Sequence, residues 1–121
     1  MHATRLLING ARGRMGQALI AGAQSDAELQ ISAEVDIGDD FAGAVPGCDV
    51  IIDFSHHSTI ESVLARCVEN GKPIVIGTTG HSETETAAIR HASGQIPIVF
   101  ASNYSTGVNT LFWLTRKAAE I

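Results

Sequence analysis

Three glycines in seven residues, Gly10, Gly13 and Gly16, separate an apolar run from an amphipathic stretch. That spacing limits what the chain can fold into more than any other feature. Arg5-Leu6-Leu7-Ile8-Asn9 reads as a strand, and Met15, Ala18, Leu19 and Ala23 recur at the i, i+3, i+4, i+8 period of a helix with one core face. A strand that turns directly into a helix has a mechanical use for each glycine. Gly10 allows a tight exit from the strand, Gly13 lets the backbone approach a pyrophosphate, and Gly16 lets the helix pack close. Phosphates would then sit on free N–H groups at the positive helix end. No Gly-Lys-Ser/Thr follows, so the turn is not a nucleoside-triphosphate loop.

Asp36 stands twenty residues beyond Gly16, at the end of a second strand-like run, Leu29 to Val35. Dinucleotide sites place an acid at that spacing to take the ribose hydroxyls. A carboxylate there accepts from the 2′- and 3′-hydroxyls of NAD and repels a 2′-phosphate. Two unit charges about 4 Å apart at an effective dielectric near 20 interact by roughly 4 kcal/mol. Ile37 supplies no cation, whereas Arg12 and Arg14 lie in the turn and can reach the adenosine ribose. NADH is the expected cofactor and NADPH the alternative.

Strands and helices alternate along the remainder. Val50-Ile51-Ile52 is short and wholly apolar, as in a strand buried on both faces. Ser58-Thr59-Ile60-Glu61 reads as a capping box opening a helix with Ile60, Val63, Leu64, Cys67 and Val68 on one face, stopped by Asn70-Gly71. Pro73 to Ile76 is a strand ending in Gly77-Thr78-Thr79-Gly80. Ser82 to Glu85 is a second capping box, for a helix that ends near Gly94. Ile96 to Ala101 is a fifth strand, followed by a turn, Ser102 to Gly107, and a last helix with Leu111, Leu114 and Ala118. That helix reaches Ile121 without a stop signal, and Phe112 and Trp113 on it await a partner, so the chain is expected to end inside an element. Such alternation predicts an α/β fold. The expected form is a Rossmann-type, doubly wound parallel sheet in three αβα layers, a single domain over residues 1–121.

Composition narrows the function classes. The chain has 121 residues, one domain's worth, and 45% of them are hydrophobic, which suits a globular core. A net charge of −5 disfavours a nucleic-acid backbone as partner. No apolar run approaches the roughly 20 residues that cross a bilayer, and the N-terminus lacks a signal-peptide core, so a cytoplasmic location is expected. Two cysteines, Cys48 and Cys67, are too few for a disulfide framework or a metal site, and Cys67 fits a buried thiol.

Four segments in order carry a resemblance. They are Ile8 to Gly16, Asp49-Val50-Ile51-Ile52-Asp53-Phe54-Ser55, Val75-Ile76-Gly77-Thr78-Thr79-Gly80, and Ala101-Ser102-Asn103-Tyr104-Ser105-Thr106-Gly107-Val108-Asn109. Together they resemble the cofactor-binding domain of the 4-hydroxy-tetrahydrodipicolinate (dihydrodipicolinate) reductases. The resemblance implies an NAD(P)H-dependent oxidoreductase of lysine and diaminopimelate synthesis. It implies that Gly10, Ala11, Arg12, Gly13, Arg14 and Met15 hold the pyrophosphate and that Asp36 holds the adenosine ribose. Gly77, Thr78 and Thr79 would line the nicotinamide side, with Ala101, Ser102, Asn103 and Tyr104 opposite.

The family's substrate-domain segment, H-H-x-x-K-x-D-A-P-S-G-T-A, has no match here. His56-His57 is followed by Ser58-Thr59-Ile60 with no lysine and reads as a loop and cap feature. His81 takes a position usually aromatic in the family. The reading therefore places no catalytic residue and no metal ligand in this chain, and expects it to bind a dinucleotide but not to turn over substrate alone. The family resemblance implies a homo-oligomeric enzyme assembled mainly through the other domain, leaving this piece monomeric or weakly associated. A stand-alone redox-sensing module and the Rossmann half of another dehydrogenase are the competing readings.

Overall fold

Five strands form one parallel sheet in the order β2-β1-β3-β4-β5. The computed structural model describes residues 3–101, Leu114 and residues 117–120. Along the chain come β1 (Thr4–Asn9), α1 (Arg14–Gln24), β2 (Leu29–Val35), α2 (Phe41–Ala44), β3 (Val50–Asp53), α3 (Ile60–Glu69), β4 (Ile74–Ile76), α4 (Glu83–Ala92) and β5 (Ile98–Phe100). Short 3₁₀ turns cover Val45–Gly47 and His57–Thr59. The expected turn at Ser102–Gly107 and most of the last helix lie outside the described residues, although Leu114 and residues 117–119 are helical.

The three expected layers follow from alternation along the strands. Leu7, Ile51, Ile74 and Ile76 face α3 and α4, where they pack with Ile60, Val63, Leu64, Cys67 and Ile89. Leu6 and Ile8 point the other way, toward Ile20 and Ala23 of α1. Both cysteines are buried free thiols, and burial pushes Cys67 up to about 12.

Three expectations need correction. The buried face of α1 is Gly16, Ile20 and Ala23, while Met15 and Ala18 are exposed. The helix is rotated because Gly16 sits against the backbone of Gly10 and Ala11, where a Cβ would collide. The first capping box does not form. His57–Thr59 is a 3₁₀ turn in which the His56 ring accepts from the Ser58 N–H, and α3 starts at Ile60 with no side-chain cap. The fifth strand is shorter than expected, since the Ile96 N–H goes to the Ala92 carbonyl at the helix end and Pro97 has no N–H to give. Between β2 and β3 lies α2, capped by Asp40, whose Oδ1 accepts from Gly43 N at 3.0 Å.

Candidate dinucleotide site

Parallel pairing aligns Asn9 of β1 with Val35 of β2 on one side and with Asp53 of β3 on the other. The chain reverses its strand order across β1, and open α/β sheets bind ligands at the carboxyl ends of strands at such a switch point. A cleft of about 730 Å³ opens there. It brings together Gly10, Arg12, Gly13 and Asp36 from the expected set, with Phe54 and Ser55 on the opposite wall.

Gly10 enters the turn at φ +87°, and a Cβ on it would strike the Phe54 carbonyl, so a residue with a side chain does not fit. The Gly10 and Ala11 N–H groups both donate to the Val35 carbonyl, at 2.8 and 3.0 Å, which fastens the turn to β2. Gly13 is the N-cap of α1, with no side chain closing the helix end and no acid in the first turn. That end carries the helix's partial positive charge and open N–H groups, suited to an anion.

Asp36 faces the same cleft. Its Oδ2 accepts from Arg12 N at 2.7 Å and its Oδ1 from Ile37 N at 2.8 Å. Those two backbone bonds, Ile37 first, hold the carboxyl below its ordinary value. The Arg12 guanidinium donates to the Ile37 carbonyl at 2.8 Å and pairs with Asp39 at 3.4 Å. This lip of the cleft therefore sets two carboxylates against one guanidinium.

A second turn follows β4. The Phe54 ring, which lines the cleft, lies across Gly77, where a Cβ would overlap it. Thr78 is buried with its hydroxyl turned to Asp53, at 3.3 Å from Oδ2, while Thr79 is exposed. Ala101 follows the neighbouring strand, which pairs Ile76 with Phe100.

A family model described as dihydrodipicolinate reductase, N-terminus, matches residues 4–104. The chain belongs to the dihydrodipicolinate reductase N-terminal family. A 4-hydroxy-tetrahydrodipicolinate reductase of Akkermansia muciniphila is 52% identical over 116 residues, 96% of this chain and 47% of the relative. One of Xanthomonas euvesicatoria is 43% identical over 131 residues, 97% of this chain and 55% of that protein. The chain thus spans about half the length of the curated relatives it matches. A solved dipicolinate-bound dihydrodipicolinate reductase from a Paenisporosarcina species superposes with a TM-score of 0.60 at 21% identity, covering 77% of this chain and 43% of that one, which is a likeness of fold.

Within this family frame the expected site residues divide. Gly10, Arg12, Gly13 and Asp36 share the cleft; Gly77, Thr78, Thr79 and Ala101 sit beyond Phe54 at the adjoining strand ends. The Ala11 side chain belongs to the α1-side core, so it shapes the turn from behind. Arg14 and Met15 are exposed at the start of α1. Ser102, Asn103 and Tyr104 lie outside the described residues.

Among the lining residues given no site role from the sequence are Phe54, Ser55, His56 and Thr59. The signal that finds them is their place just after the carboxyl end of a strand beside the switch point. His57 Nδ1 lies 2.8 Å from Glu85 Oε1, and Glu85 also accepts from Ser82 N at 2.7 Å. The His81 ring meets Phe100 edge-on at 5.3 Å, and its Nε2 is buried without a hydrogen-bond partner among the described residues. Among those residues no three His, Cys, Asp or Glu side chains are grouped to hold a metal ion, and no helix is long and apolar enough to cross a membrane.

Proposed function

We propose that this chain is the nicotinamide-dinucleotide-binding half of a 4-hydroxy-tetrahydrodipicolinate reductase of lysine and diaminopimelate synthesis. The observation that carries the reading is one cleft holding both an uncapped helix end at Gly13 and the ionised Asp36 carboxylate. A bound NADH supplies the hydride. The chain's own residues bind and orient it. The Gly10–Met15 turn receives the pyrophosphate on backbone N–H groups, and Asp36 accepts the ribose hydroxyls, exchanging its bond from Arg12 N for them. Gly77, Thr78 and Thr79, with Ala101, hold the nicotinamide half beyond Phe54.

The charge at the ribose lip supports NADH over NADPH. A 2′-phosphate would meet Asp36 and Asp39, and Arg12 is already engaged with that loop. Titrating the chain with NADH and NADPH tests the reading: NADH binds more tightly, and a wild-type preference for NADPH of about tenfold, 1.4 kcal/mol, overturns the assignment. Reading the chain as the dinucleotide-binding half alone predicts detectable NADH binding by these 121 residues with negligible formation of tetrahydrodipicolinate. Turnover at the rate of an ordinary reductase, about 10 per second, would contradict it.

A further inference from the structure

A fully buried carboxylate lies beneath the proposed site, outside the residues that line it. Asp53 ends β3. Its Oδ1 accepts from Asn9 Nδ2 at 2.9 Å and from Ser55 Oγ at 2.5 Å, and its Oδ2 accepts from Thr78 Oγ1 at 3.3 Å. Its main-chain carbonyl accepts from Gly77 N at 2.9 Å and, at 3.2 Å, from the same Thr78 hydroxyl, whose one O–H is shared between that carbonyl and Oδ2. Each partner belongs to a different strand exit. Asn9 leads into the Gly10 turn, Ser55 stands in the cleft wall after β3, and Thr78 lies in the turn after β4. Burial raises the Asp53 carboxyl pKa, and none of its hydrogen-bond partners among the described residues is a cation. An apolar residue would avoid that burial cost. What a carboxylate adds is two acceptor oxygens on one rigid plane, able to hold three turns at once.

We infer that Asp53 is a positioning residue for the dinucleotide, its Oδ2 bond to Thr78 setting the Gly77–Thr79 turn for the nicotinamide half; the inference rests on the dinucleotide reading above. Binding of NADH and of AMP, the adenosine half alone, tests it on the 121-residue chain. Thr78→Val keeps the shape and removes the hydroxyl. It is expected to weaken NADH about tenfold, the loss of one hydrogen bond to a charged group, while AMP changes less than about twofold. Thr78→Ser restores NADH binding, which mere loss of packing would not predict. Asp53→Asn removes the Oδ2 acceptor but leaves the main-chain carbonyl to the Thr78 hydroxyl, so it weakens NADH in the same sense but by less than Thr78→Val, with AMP again little changed; should it fail to fold, the two Thr78 variants decide alone. Equal weakening of NADH and AMP in Thr78→Val, unchanged NADH binding, or a Thr78→Ser that behaves like the valine overturns the inference. A wild-type chain that binds neither ligand overturns the dinucleotide reading itself, and the positioning role with it.

Discussion

Gly10 and Gly13 stand three residues apart and are held by different constraints. Gly10 needs a positive φ and has the Phe54 carbonyl where a Cβ would go, whereas a Cβ on Gly13 meets only the Gly10 carbonyl, at 3.4 Å. Gly10→Ala is therefore expected to cost more than about 2 kcal/mol, lowering Tm by more than roughly 8 °C for a domain of this size. Gly13→Ala keeps Tm within about 3 °C, since it costs no more than an ordinary exposed substitution, but loses NADH affinity because the methyl occupies the anion's approach. Thermal melts paired with NADH titration check both, and a Gly10→Ala melt unchanged from wild type would refute the first. The places of these residues and of Asp36 in the cleft were legible because a tight strand-to-helix turn and the end of the next strand fall at fixed spacings along one stretch of chain. Phe54, Ser55 and His56 obey no such spacing. They enter the cleft only because β3 pairs with β1 in a register that sets Asp53 opposite Asn9, and pairing is a property of the sheet.

Two stretches with the same apparent helix-start signature behave differently. At Ser82 the box is complete, with the Ser82 hydroxyl accepting from Glu85 N at 3.1 Å and the Glu85 carboxylate accepting from Ser82 N at 2.7 Å. At Ser58 the hydroxyl bonds instead to the His56 ring, 2.8 Å away, inside a 3₁₀ turn. Ser82→Ala should thus destabilise by about 1 kcal/mol, and Ser58→Ala by less than about 0.5 kcal/mol. Urea unfolding of the two variants measures the contrast; equal losses would mean that Ser58 caps after all. The sequence alone could not separate these cases, because a preceding histidine that competes for the same N–H is invisible to the Ser-x-x-Glu pattern. The same holds for α1, whose helical period is in the sequence but whose core face is not Met15 and Ala18, which are exposed: its rotation is set by Gly16 lying against Gly10 and Ala11, a contact between elements and not a pattern within one.

For the molecule as a whole, the carboxyl groups set how stability responds to acid. Asp49 pairs with Arg5 through two side-chain bonds, at 2.9 and 3.2 Å, and a third from Arg5 N at 2.8 Å, which hold it at about 2 against an ordinary 3.8. Asp36 is held low by backbone N–H groups, and Glu85 by the Ser82 N–H first and then by the His57 ring. A carboxyl whose folded pKa lies below its unfolded one stabilises the fold above the unfolded value, and that stability is lost as pH falls through the folded value. For Asp49 the window runs from 3.8 down to about 2. Asp53 acts in the opposite sense. Its raised folded pKa gives stability below the unfolded value of 3.8, and that stability is lost as pH rises through the folded value. Three lowered groups against one raised group predict a lower urea midpoint at about pH 3 than at about pH 7. Arg5 and Asp49 are both partly exposed, with side chains 46% and 42% accessible, so salt screens their share. Asp49→Asn should flatten the acid limb below pH 3.8 while leaving the loss due to Asp36 and Glu85. About 1 M salt should flatten it similarly, since the Debye length then falls to roughly 3 Å. A wild-type urea midpoint that does not fall between about pH 7 and about pH 3 would show that the three lowered carboxyls lose no more stability in acid than Asp53 gains.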